Sequence, residues 1–174
     1  MARRRSFVTD RRGAVVIELA LVAPVLAVLA IGVVDMSNAF SRRLALEQGA
    51  QRAIEKIMQT TDDTTVEATL ANEAVCQVNG VNSDGTCKTS PITTANVTVT
   101  YRIECTASGG AVTVQSNSDA AIFNTYVCAS GSSTAKYLSV NVTDKYTPIF
   151  PLHFSAFDAD GTYHIATTAG MRIQ

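Results

Sequence analysis

Arg11-Arg12-Gly13-Ala14-Val15-Val16-Ile17-Glu18-Leu19-Ala20-Leu21-Val22-Ala23-Pro24, running on apolar to Val34, decides how the rest of the chain is read. Two arginines and a glycine stand directly before a long, mainly apolar run. A span of roughly 20 apolar residues is long enough to cross a bilayer as a helix. One carboxylate, Glu18, lies near its start, and an ionisable residue inside such a span is costly enough to be a functional hypothesis by default. Pro24 lies within the run, where a proline removes a backbone hydrogen bond and favours a kink. Everything downstream reads as cargo on a membrane-embedded stem.

Charge sets the direction of insertion. Arg3, Arg4, Arg5, Arg11 and Arg12 crowd the first twelve residues against a single Asp10. By the positive-inside rule the N-terminus stays cytoplasmic and the C-terminal part is exported. The chain of 174 residues has a formal net charge of −1. A cut after Gly13 would remove five arginines and one aspartate and leave an acidic product, so no nucleic-acid partner is implied.

The helical signal outlasts the apolar run. Leu46, Ala50, Ala53, Ile54 and Ile57 share one helical face, while Arg43, Glu47, Gln51 and Glu55 populate the other side. The spacing therefore predicts a stem from Ala14 to about Gln59, which would span roughly 70 Å at about 1.5 Å per residue. Small residues Ala45, Gly49, Ala50 and Ala53 suit close approach of another helix. Covering the protein's own sheet is the other use of the same face, and the sequence leaves both open.

Beyond the stem, Asp63 or Thr64 with Glu67 fits a capping box for a short helix from about Thr64 to Cys76. Asn79-Gly80 and Asn82-Ser83-Asp84-Gly85 are turn chemistry. From Ala95 the period becomes two: Val97, Val99, Tyr101 and Ile103 alternate with polar residues. Ala111 to Gln115 is placed to pair back, and residues 116 to 134 read as a surface loop or loose strand. Tyr137 to Tyr146 and Tyr163 to Ile173 complete at least three antiparallel strands. The expected fold is α+β: a long N-terminal transmembrane and amphipathic helix, a second short helix, then a small antiparallel β-sheet domain. The divisions are 1–13 as a basic leader, 14–34 as the membrane span, 35–60 as its amphipathic continuation and 61–174 as the exported domain.

Four cysteines, Cys76, Cys87, Cys105 and Cys128, all follow the span, which puts them in an oxidising compartment. Two disulfides are expected, and closure of local loops favours Cys76–Cys87 with Cys105–Cys128 over the other two connectivities. Their spacings do not fit a zinc site. Asp158 and Asp160 before Gly161 match part of a calcium loop but lack its glutamate, which leaves a plain turn. His153 and His164 have no catalytic partner at a recognisable spacing. Asn96-Val97-Thr98 and Asn141-Val142-Thr143 match a glycosylation triplet inside expected strands. No catalytic residue, metal or cofactor is implied, and the chain does not read as an enzyme.

Gly13 followed by Ala14-Val15-Val16-Ile17-Glu18 resembles the type IV prepilin processing site, where a peptidase cuts after the glycine and a glutamate stands fifth in the mature chain. The run from Arg11 to Leu26 resembles the TadE-like minor pilins, or pseudopilins, of the tight-adherence (Flp) pilus. Tyr146-Thr147-Pro148-Ile149-Phe150-Pro151 and Ala169-Gly170-Met171-Arg172 are similar to the C-terminal pattern of those proteins. The resemblance implies a single-pass protein of the bacterial inner membrane with a periplasmic domain. It also implies processing at Gly13 and Ala14 by a prepilin peptidase, an assembly or register role for Glu18, and topology set by Arg11 and Arg12. Its partners would be other pilins or pseudopilins and the pilus assembly platform. The rival readings are a secreted binding or adhesin domain released by a signal peptidase after Val28-Leu29-Ala30, and an uncut signal-anchored domain.

Overall fold

Helix α1 (Arg11–Gln59) runs unbroken through Pro24 in the computed structural model, which describes residues 11–59, 69–149 and 158–173. The basic leader before Arg11 lies outside the described residues, as do the expected cap at Asp63 or Thr64 with Glu67, Phe150, Pro151 and His153. After α1 come α2 (Leu70–Asn79), β1 (Val97–Thr106), β2 (Val112–Asn117), α3 (Ala120–Thr125), β3 (Ser133–Tyr146) and β4 (Tyr163–Arg172). The architecture is α+β. Four strands form one antiparallel sheet in the order β2-β1-β3-β4, with Tyr101 opposite Leu138 and Leu138 opposite Met171.

The second half of α1 finds its partner within the chain. Leu46, Ala50, Ala53 and Ile54 are buried with Leu70, Ala74 and Val75 of α2 and with Tyr101, Ile103, Leu138, Val140 and Val142 of the sheet. This decides between the two uses left open for the small-residue face. A Cβ on Gly49 would stand 2.5 Å from Val78 Cγ2 and 3.0 Å from the Ala74 carbonyl oxygen. The small side chains admit the protein's own α2, and Arg52 reaches across to Glu73 at 3.4 Å.

Residues 116–134 differ from the expected loop or loose strand. The Asp119 carboxylate accepts the Ala121 amide at 2.9 Å and caps α3. Phe123 then sinks to 4% exposure, with its ring centroid 5.0 Å from that of Tyr101. Two apolar residues in a Ser- and Asn-rich stretch gave too short a period to read, yet one aromatic side chain is enough to pin a turn of helix.

The region between α2 and β1 is organised by Asn79. Its side-chain amide donates to the carbonyls of Lys88 and Ile92, and its oxygen accepts the Ile92 amide. All of this polar side chain's main bonding positions are therefore used inside the fold, which burial demands. Gly80 follows at φ 78°, a positive backbone angle that glycine adopts at least cost.

Candidate functional site

Among the described residues, nothing packs against the first half of α1. From Val15 to Leu29 its valines, leucines and isoleucine stand 43–71% exposed, and the helix is long and apolar enough to cross a membrane. So large an apolar surface calls for lipid or another protein around it. Gly13 is exposed near the helix start, and Glu18 is exposed on the same bare segment. Arg11, Arg12 and Ala14 belong to the same helix, with side chains outside the described residues. Glu18 lies four residues beyond Ala14 along the helix, a rise of about 6 Å. The structure thus keeps Gly13, Ala14 and Glu18 on one helix, with Gly13 and Glu18 exposed.

At the end of the apolar run the stem is fastened to the sheet. Asp35 is only 8% exposed. Its Oδ1 accepts the Ile149 backbone N–H at 2.9 Å and the Tyr146 hydroxyl at 3.3 Å. Two turns further on, Arg42 Nε donates to Asp144 Oδ2 at 2.6 Å. Residues 35 and 42 are seven apart and so share a helix face, which lies along the C-terminal end of β3. Burial, aided by the neighbouring Asp35 carboxylate, pushes the Tyr146 phenol above its ordinary value. This clasp was not found in the sequence. In the sequence Asp35 is simply the first charged residue after the apolar run that ends at Val34. The available signal was an acid and a base at i and i+7, but their partners lie 102 or more positions away.

The cysteines pair as Cys76–Cys87 and Cys105–Cys128. The first staples the loop after α2; the second ties α3's trailing segment to β1. His164 does have acidic neighbours: Asp158 Oδ2 lies 3.3 Å from Nδ1 and Asp160 Oδ2 lies 2.9 Å from Nε2. Lys145 also binds Asp160 at 2.8 Å. Those contacts, led by Lys145, hold the Asp160 carboxyl below the usual carboxylate range. All of these groups are at the surface of the β3–β4 end, and they bind one another. Among the described residues no group of three His, Cys, Asp or Glu side chains is arranged to hold a metal ion. The two glycosylation triplets are occupied in the fold: Asn96 accepts the Thr93 amide, and Asn141 donates to Thr168.

A bare apolar helix that continues into a clamped, disulfide-stapled α+β domain fits a single-pass membrane-anchored stem protein. Residues 13–54 match the family model of the TadE-like proteins. Over its stem the chain is similar to that family, and the match takes in Gly13, Glu18, Asp35 and Arg42. It covers about a quarter of the sequence. No curated protein and no solved structure matches the chain.

Proposed function

We propose that this chain is a minor pilin, or pseudopilin, that assists the assembly or initiation of a tight-adherence pilus. The observation that carries the reading is a coincidence of position. The TadE-like match begins at Gly13, two residues before the apolar span that starts at Val15, with Glu18 in the first turn of that span. In this reading the chain inserts in the bacterial inner membrane with its arginines inside. A prepilin peptidase cuts after Gly13, and the sheet domain stands in the periplasm. Cleavage gives Ala14 a cationic amine about one turn from Glu18. In a bundle of stems, the Glu18 carboxylate pairs with the amine of a neighbouring pilin or pseudopilin, because an unpaired carboxylate in lipid is expensive. The protein works by docking onto sibling stems and the assembly platform, without catalysis.

An unbroken helix from Arg11 to Gln59 supports this over release by signal peptidase, since cleavage after Ala30 would fall in the middle of that helix. The N-terminal residue of the membrane-extracted protein tests it. Ala14 is expected; Ile31 would mean a signal peptide, and an intact leader an uncut anchor. Glu18→Ala is expected to leave cleavage intact and reduce pilus assembly, and normal piliation would remove the register role.

A further inference from the structure

Among the described residues the sheet has two open edges, β2 and β4, and their chemistry is complementary. Ile173 N–H donates to Lys136 O, so in the β3–β4 ladder the odd-numbered residues of β4 face β3. Ala166, Thr168 and Gly170 then turn their N–H and C=O groups outward. Likewise Ala107 N–H donates to Ala111 O, so Val112, Val114 and Ser116 of β2 face away from β1. Edge strands are usually blunted by charge or proline. Neither is found in β2, nor in β4 between Tyr163 and Met171, apart from His164 at its start.

We propose that the β4 edge takes the β2 edge of a second copy of this chain, antiparallel, with Thr168 opposite the partner's Val114. Ala166 then meets the partner's Ser116, and Gly170 meets the partner's Val112. Three outward residues face three outward residues, and all six lie on the sheet face away from α1, so the two sheets join without a flip of sides. The valines, 55% and 48% exposed, come to lie over glycine and threonine. Gly170 stays bare because a Cβ there would stand 3.2 Å from the Leu138 carbonyl oxygen.

An independent observation supports the same register. Thr167 is 8% exposed, and its Oγ1 is buried with no hydrogen-bond partner. It lines a cleft of about 280 Å³ between β4 and Arg43, Glu47 and Gln51 of α1. In the proposed pairing the partner's Gln115 stands directly across from Thr167, on the α1 side of the sheet. Its carboxamide supplies the hydrogen bond that a buried hydroxyl requires.

Topology selects this partner. Four strands alternate in direction, so β2 and β4 run oppositely, and a second copy can present β2 antiparallel to β4, with the sheet's usual twist of about 20–25° per strand turning successive stems relative to one another. Joining β4 to β4 would point the two stems in opposite directions. Val114 is level with Glu104, and Thr168 is level through Asn141 with Thr98. The contact therefore offsets one copy along the strands by six residues, about 20 Å. It is head-to-tail and repeats as an open, staggered file. The pairing does not depend on cleavage at Gly13 or on Glu18.

Two differently tagged full-length versions in detergent, Val114→Cys and Thr168→Cys, test it. The native cysteines are all in disulfides, so the new thiols are the reactive ones. On mild oxidation with copper phenanthroline, a disulfide-linked dimer carrying both tags is expected in the mixture and in neither version alone. Adding Ala166→Pro to the Thr168→Cys chain removes an outward N–H without touching the β3 ladder, and should abolish the dimer while leaving the melting temperature unchanged. A mixed dimer that survives Ala166→Pro would overturn the proposal. So would a predominant Thr168→Cys self-dimer, its capture of a different protein in place of the second copy, or the absence of any dimer.

Discussion

Arg42 on the stem and Asp144 on β3 form an ion pair of 2.6 Å that spans 102 positions of sequence, with side chains only 20% and 11% exposed. It joins the two halves of the molecule just beyond the apolar run. Together with Asp35 it fixes the direction in which the sheet domain leaves the stem.

Removing one member leaves a half-buried charge without its partner. Arg42→Ala or Asp144→Ala is expected to cost about 2 kcal/mol of unfolding free energy, typical of a charge-assisted bond at this burial. Chemical denaturation of the full chain in detergent reads this directly. The double variant should cost less than the sum of the singles, and strict additivity would show the pair is not coupled.

The Asp35–Tyr146 contact makes the clasp sensitive to alkali. The phenol must keep its proton to donate to Asp35, and its pKa is raised above 10.0 by burial and the adjacent carboxylate. A group with a raised pKa contributes fully below its ordinary value and loses that contribution as pH rises through the raised one. Absorbance titration of the tyrosines should therefore show a late-ionising class that loses one member in Tyr146→Phe. In Asp35→Asn that member should ionise earlier; an unchanged titration would mean that the two groups do not interact.

Gly49→Ala separates packing from helix propensity. In an open helix the change would stabilise by up to about 1 kcal/mol. Here the added methyl meets Val78 Cγ2 at 2.5 Å and the Ala74 carbonyl at 3.0 Å, and the backbone atom cannot swing away. A net loss of about 1–3 kcal/mol is expected, as for overpacking. A more stable variant would show that α2 can shift freely on α1.

Much of the chain was legible because its signals are local. The apolar run, the stem face at Leu46, Ala50 and Ala53, the alternation in β1 and β3, and the glycine turns each depend on neighbours within about two helical turns. The disulfide pairs were readable for a related reason, since short loops close at the smallest entropic cost. Helix α3 was missed because six residues cannot show a period, and its reason for existing is Phe123 meeting Tyr101.

The sequence by itself determined the stem: an apolar length, arginines before it, Gly13 and Glu18 at their offsets. Those properties depend on composition and order along one helix, and they need no other part of the chain. Only the tertiary structure decided what the small-residue face packs against. It alone brought Asp35 to Tyr146 and Arg42 to Asp144, and left β2 and β4, among the described residues, as open edges of opposite direction. These are relations between residues up to 114 positions apart, and no local pattern encodes a contact until the sheet has set which strands are neighbours.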